Sequence, residues 1–188
     1  MTTHYLDLKV MPDPETSGTQ LLGALYGRLH QLLVQQRWDD VGVSFPRHSL
    51  QPRSLGQVLR LHGSEARLRQ MAAMDWLKAL RDHVQATDIA AVPDGCKHRT
   101  VRRQQFKTNA ERLRRRRMRR KGETAEAAAE AIPYSIERRP TLPYVHLRSQ
   151  STGQSFCLFI HHGALQDQPT SGVFNSYGLG GEGSVPWF

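Results

Sequence analysis

Residues 4 to 92 switch repeatedly between a two-residue and a 3.6-residue hydrophobic period, and the order of those switches constrains the fold more than any other feature of the chain. His4 to Val10 sets Leu6, Leu8 and Val10 on one side and Tyr5, Asp7 and Lys9 on the other, the pattern of a half-buried strand. Pro12-Asp13-Pro14 breaks it. Ser17 suits the N-cap of a helix running to about Gln36, with Leu21, Leu22, Leu25, Leu29, Leu32 and Leu33 on one face. Val41 to Phe45 and Val58 to His62 read as short strands joined by a polar loop that contains Pro46 and Pro52. Ser64 caps a second helical stretch to about Val84, with Leu68, Met71, Leu77 and Leu80 turned inward. Ile89 to Val92 is a weak fourth strand, ended by Pro93-Asp94-Gly95. The order β-α-β-β-α-β predicts an α+β fold with a ferredoxin-like domain over residues 1–95. That fold hosts many functions and says little about activity.

Residues 96–188 are expected to form a smaller C-terminal domain with an arginine-rich helix and a small antiparallel sheet. Arg99 to Lys107 is basic and extended in character. Thr108 and Glu111 make a T-x-x-E capping box for the helix, and Gly122 ends it. Thr124 to Ile132 predicts a short helix stopped by Pro133. Tyr144 to Ser149 and Phe156 to His161 flank Gln150-Ser-Thr-Gly-Gln154 as a hairpin, and Phe174 to Leu179 reads as a strand.

Charge is where composition matters. The chain has 188 residues and a net charge of +9. Residues 99–121 hold twelve Arg or Lys and one acid, Glu111, a local charge of +11 that leaves about −2 for the remainder. A near-neutral protein carrying one intense cationic element has the electrostatic footprint of a nucleic-acid binder. Arg112, Arg114, Arg115, Arg116, Arg117, Arg119 and Arg120 fill seven of nine positions, and Arg112, Arg115, Arg116 and Arg119 share one helical face. An ordinary solvated helix mixes its charge signs, and this one does not. The two cysteines, Cys96 and Cys157, lie in different motifs and imply no disulfide framework, so the expected compartment is reducing and cytoplasmic. The opening residues do not resemble a signal peptide and the apolar runs are too short for a bilayer, so neither a leader nor a membrane span is expected. HExxH, CxxC and Walker patterns are absent, so neither metal nor cofactor is expected.

Weaker signals sit around this element. Arg102, Arg103, Gln104 and Gln105 precede the helix; Arg pairs bidentately with guanine and Gln with adenine, although an ordinary polar strand has the same composition. His30 falls outside the leucine stripe, beside Tyr26, and is expected to be partly exposed. An imidazole there can take the proton of a ribose 2′-hydroxyl or give one to a leaving oxygen, although most helical histidines do neither. Ser149, Ser151 and Thr152 bring hydroxyls to the hairpin, and Phe156 is a platform for base stacking or simply core.

Taken together, HYLDLKVMPDPE, LYGRLHQLLV around His30, VGVSFP, NAERLRRRRMRR, LRSQSTGQSFCLFI and the closing YGLGGEGSVPWF resemble, end to end, the CRISPR repeat-processing endoribonucleases of type I-F systems, the subtype-F branch of the Cas-six family. The resemblance implies binding of a CRISPR repeat RNA hairpin and metal-free cleavage at the 3′ base of its stem. The attacking group would be the upstream 2′-hydroxyl, leaving a 2′,3′-cyclic phosphate. It implies His30 and Ser149 as catalytic residues with Tyr177 in support. Arg103 and Gln105 would read bases, Phe156 would stack, Ser151 would touch RNA, and Arg115, Arg116, Arg119 and Arg120 would enter the groove. It also implies retention of the product hairpin and the other subunits of a crRNA-guided complex as partners. Lys121 stands where the family pattern leads one to expect histidine, and Phe106, Arg117 and Cys157 are also departures. The competing readings are a non-catalytic structured-RNA-binding protein and a DNA-binding regulator.

Overall fold

The computed structural model describes residues 2–106, 109–137, 140–149 and 152–188. They form two compact units, Met1–Arg103 with Leu142–Phe188, and Gln104–Thr141. The expected boundary at 95/96 is a break in composition, whereas compactness divides the chain at 103/104 and 141/142. Strands on both sides of residue 95 bury their side chains in one hydrophobic cluster, which runs from Leu6 and Leu8 to Leu158, Ile160, Leu179 and Val185.

In the larger unit, β1 (His4–Val10), β2 (Gly42–Ser44), β5 (Val58–Gly63) and β6 (Val84–Ala86) form a sheet in the order β2-β5-β1-β6. The neighbours pair antiparallel, and Leu6 and Leu8 of β1 lie opposite Leu61 and Leu59. A small hairpin, β3 (Ser49–Leu50) with β4 (Arg53–Ser54), fills the loop between β2 and β5. The expected fourth strand at Ile89 to Val92 is present as the two-residue β7 (Ala90–Ala91), which pairs with β1 at Tyr5 and His4, while β6 is a further strand that pairs along β1 at Leu8 to Val10. The second helical stretch also divides: Ser64 caps α2 (Glu65–Ala72), and Asp75–His83 continues as a 3-10 turn.

The second sheet runs β11-β8-β10-β9, with β8 at Lys97–Gln104, β9 at Tyr144–Arg148, β10 at Ser155–His162 and β11 at Ser184–Trp187. The hairpin of β9 and β10 is the one expected, with Phe156 opposite Leu147. The architecture is thus mixed α and β with antiparallel sheets.

α1 (Gly18–Gln36) opens on a complete capping box between Ser17 and Gln20. Its leucine stripe is buried, and Gly23 allows it to lie directly on β9: a Cβ there would stand 2.6 Å from the carbonyl oxygen of His146. β2 is approached as closely, since a Cβ on Gly42 would meet Phe174 and Val185 at 2.7 Å.

Two histidines, one fully and one partly buried, set an acid limit on stability. His62 is fully buried, with Nε2 2.8 Å from Ser44 Oγ, and His162 stacks on His48 at 3.7 Å between centroids. Burial first, then the charges of Arg60 and His98, pushes His62 down to about 3; burial, His48, Arg99 and His161 do the same to His162. In the unfolded chain both take up protons near pH 6.5, so stability is complete above that value and falls as pH drops towards about 3. The slope is about 1.4 kcal/mol per pH unit for each histidine. Thermal melts are expected to shift downward between pH 6.5 and pH 4.5, and His162→Phe should flatten that dependence. A midpoint unchanged across the window would contradict this account.

Candidate active site and nucleic-acid interface

The smaller unit is built around α3 (Ala110–Lys121) and α4 (Ala125–Ala131). The cap of α3 is Asn109, whose side chain accepts from Arg112 N at 2.7 Å, rather than the expected Thr108, which lies outside the described residues. Asn is the stronger N-cap, which accounts for the one-residue shift. Gly122 ends the helix at φ 67°, donating its N–H to Met118.

The seven arginines do two different jobs. Arg114 donates to the Ile132 carbonyl at 2.8 Å and lies 4.1 Å over the Tyr134 ring, while Glu111 accepts from the Tyr134 hydroxyl. Arg117 pairs with Glu123 at 2.5 Å, and Lys121 approaches the same carboxylate at 3.7 Å. The hydrogen bond from Arg117 is the main reason the Glu123 carboxyl titrates below its ordinary value. These two arginines brace the helix against the segment that follows it. Arg112, Arg115, Arg116, Arg119 and Arg120 are exposed. Among the described residues, the ion pairs of the helix fall on Arg114, Arg117 and Lys121, so the exposed guanidiniums form a row of forked donors suited to phosphate oxygens.

In the larger unit, Arg103 leaves β8 exposed, its guanidinium 5.9 Å from the centroid of Phe156. Phe156 shares the core-facing side of β10 with Leu158 and Ile160 and is itself half-buried, packed against the cluster. Gln105, one residue past β8, belongs to the smaller unit and is exposed. Phe156→Leu keeps the apolar packing and removes the ring. If Phe156 stacks on a base pair, hairpin affinity should fall by about 1–3 kcal/mol while the melting temperature changes little. A large drop in melting temperature with intact affinity would assign the ring to the core alone.

His30 is half-buried on α1. Its ring lies flat on Tyr177, centroids 3.9 Å apart and 1° from parallel. Nδ1 is 2.7 Å from the Ser176 carbonyl oxygen; a carbonyl only accepts, so Nδ1 carries a proton, and Nε2 is the nitrogen left for chemistry. Tyr177 does not come from a strand. Residues 174–180 form a tight loop with an isolated bridge between Phe174 and Gly180, because Asn175 Oδ1 captures the N–H groups of Tyr177 at 2.8 Å and Leu179 at 3.3 Å. Tyr26, placed beside His30 in the sequence reading, is wholly buried and donates its hydroxyl to the Tyr177 carbonyl at 2.8 Å. Burial pushes that phenol well above its ordinary pKa, so it stays a donor.

Ser149 closes β9. Its N–H donates to Gln154 O and its carbonyl accepts from Gly153 N, both at 2.8 Å, and its Oγ accepts from Thr152 N at 3.3 Å. Ser151 lies outside the described residues. The structure thus brings His30 and Tyr177 into contact and sets Ser149 at the end of the strand on which α1 packs. Sequence reasoning missed the roles of Tyr26, Asn175 and Ser176; an Asn two residues before Tyr177 and three before Gly178 was the available sign of an Asx turn. Among the described residues no group of three or more His, Cys, Asp or Glu is arranged to hold a metal ion, and no helix is long and apolar enough to cross a membrane.

The two antiparallel sheets, the helix with an arginine face and the oriented histidine define a mixed α and β protein equipped to meet a polyanion. Residues 5–188 match the family model Cas_Csy4, described as CRISPR-associated protein, and the chain belongs to that family. A relative from Pseudomonas aeruginosa (strain UCBPP-PA14), named "CRISPR-associated endonuclease Cas6/Csy4", is 50% identical over 185 residues, 98% of this chain and 99% of its own length. One of the same name from Escherichia coli (strain UTI89 / UPEC) is 41% identical over 185 residues, again 98% and 99% of the two chains. A solved structure described as "An RAMP protein binding different RNA substrates" has 12% identity and a TM-score of 0.36, covering 98% of this chain and 100% of its own, a likeness too slight to carry an argument.

Proposed function

We propose that this protein is an endoribonuclease that binds a CRISPR repeat RNA hairpin and cuts it at the 3′ base of the stem without a metal ion. Family membership supports the substrate class, and the endonuclease names of the two relatives support the activity. The observation that carries the chemistry is His30 held by Ser176 through Nδ1, with Nε2 left to work. In this reading Nε2 accepts the proton of the 2′-hydroxyl upstream of the cut. The 2′ oxygen attacks the phosphorus, the P–O5′ bond breaks, and the 5′ oxygen leaves as a hydroxyl after taking a proton from water, while His30 returns its own proton to the solvent. The product carries a 2′,3′-cyclic phosphate. The stacked ring of Tyr177 keeps the imidazole in plane, and Ser149 orients the 2′-hydroxyl. The nucleophile belongs to the substrate, so no metal-bound water is called for.

Arg115, Arg116, Arg119 and Arg120 grip phosphates, Arg103 and Gln105 read bases at the stem, and Phe156 and Ser151 contact the RNA. The antiparallel order β2-β5-β1-β6 supports a ferredoxin-like frame for the histidine helix. Retention of the product hairpin, the other subunits of a crRNA-guided complex as partners, and a cytoplasmic location complete the proposal.

The test is cleavage of the repeat hairpin in EDTA with two substrates. The all-RNA hairpin should be cut to a cyclic phosphate end. The hairpin with a single 2′-deoxy substitution upstream of the cut should bind and remain intact. Cutting of the deoxy substrate, or loss of activity in chelator, would overturn the mechanism.

A further inference from the structure

The loop that carries Tyr177 is organised by a residue with no part in the chemistry above. Asn175 is exposed, yet its Oδ1 accepts from Tyr177 N at 2.8 Å and Leu179 N at 3.3 Å. Its carbonyl accepts from Gly178 N at 2.7 Å and its N–H donates to Leu179 O at 3.0 Å. One side chain and its own peptide groups therefore close the whole turn. The turn is pinned from both sides. Val43 of β2 donates to Gly178 O at 2.8 Å, and the buried Tyr26 hydroxyl holds the Tyr177 carbonyl. Gly178 sits at φ +69°, where a Cβ would stand 2.6 Å from Val43 Cγ1, so the turn lies hard against the sheet edge. Between these fixed points the Ser176 carbonyl points to His30 Nδ1, 2.7 Å away, and the Tyr177 ring lies under the imidazole.

We propose that Asn175 is a positioning residue for His30: its Asx turn aims the Ser176 carbonyl at Nδ1, so that the neutral imidazole holds the Nδ1–H tautomer and presents a bare Nε2. The physical reason is that a neutral imidazole has two tautomers, and the hydrogen bond at one nitrogen decides which nitrogen accepts at the other. Without the turn the carbonyl is free to rotate away, both tautomers are populated, and the ring loses its fixed plane. The consequence for cleavage rests on His30 being the proton-moving group; the tautomer itself does not.

Asn175→Ala removes the acceptor. Asn175→Gln sets it one methylene too far and serves as the second variant if alanine disturbs folding. Asn175→Asp keeps it. In 15N-histidine NMR of the free protein, the wild type and Asn175→Asp should show His30 protonated on Nδ1 when neutral, and Asn175→Ala and Asn175→Gln should show a mixture. Single-turnover cleavage by the Ala and Gln variants should be slower by up to about a hundredfold, with unchanged affinity for the uncleavable 2′-deoxy hairpin, and Asn175→Asp should recover most of the rate. A wild-type tautomer in Asn175→Ala or Asn175→Gln overturns the positioning role, and so does wild-type cleavage by those variants when His30→Ala is inactive. If His30→Ala itself cleaves normally, the proposed function fails, and the NMR tautomer still decides the role of Asn175.

Discussion

His30→Ala is expected to slow hairpin cleavage by about 10²- to 10⁴-fold while leaving hairpin affinity nearly unchanged. A proton-transfer group acts on the barrier and contributes little to ground-state binding, so the loss belongs in the single-turnover rate. The structure sharpens this expectation. His30 spends Nδ1 on a backbone carbonyl and one ring face on Tyr177, so under the proposed mechanism Nε2 is the atom that takes the proton. His30→Gln is informative beside alanine, because it fills similar space and still hydrogen-bonds yet cannot shuttle a proton near neutral pH; it should be nearly as slow. Rates from both variants within a few-fold of wild type would remove His30 from the mechanism. A parallel loss of affinity and rate would make it a binding residue instead.

Removing the exposed arginines of α3 should produce the largest change in affinity. Each arginine that neutralises a duplex phosphate displaces a counterion, so its removal is expected to lower the slope of log affinity against log salt by about 0.9. Arg115→Ala and Arg119→Ala should each reduce the slope by about that amount, and the fourfold change at Arg115, Arg116, Arg119 and Arg120 should reduce it by roughly four times as much. Arg114 and Arg117 supply the control. Both are tied within the unit, to Ile132, Tyr134 and Glu123, so Arg117→Ala should lower the stability of the helix with a smaller effect on the salt slope. Fluorescence titrations between 50 and 200 mM salt measure the difference (about the range over which such slopes separate clearly). Equal slopes for wild type and the fourfold variant would show that the arginine face does not bind the phosphates.

Much of this was legible because the relevant patterns are local. The two-residue alternation of β1, the leucine stripe of α1 and the Ser17 and Ser64 caps are properties of neighbouring residues, and each appears where its period predicts. The charge excess of residues 99–121 and the face shared by Arg112, Arg115, Arg116 and Arg119 follow from helical spacing alone, and those four are exposed. Errors fell where two local signals compete or where a weak signal was extended. Thr108 and Asn109 are both good caps, and the hydrogen bond to Arg112 chose the second. Phe174 to Leu179 has the composition of a strand, but Asn175 folds it into a turn.

By itself, then, the sequence determined that the chain alternates strands and helices, that a single helix concentrates its positive charge, and that His30 stands at the margin of the buried stripe. Only the tertiary structure decided which arginines brace and which are presented, because Glu123, Ile132 and Tyr134 meet α3 through interactions that no periodicity encodes. It alone decided which nitrogen of His30 is available. The carbonyl that holds Nδ1 lies 146 residues along the chain, on a turn closed by Asn175 and clamped by the hydroxyl of Tyr26. Hydrophobic period and charge density are one-dimensional quantities that a sequence carries directly, whereas the direction of one carbonyl is set by the packing of α1, β2 and the 174–180 loop around a shared core.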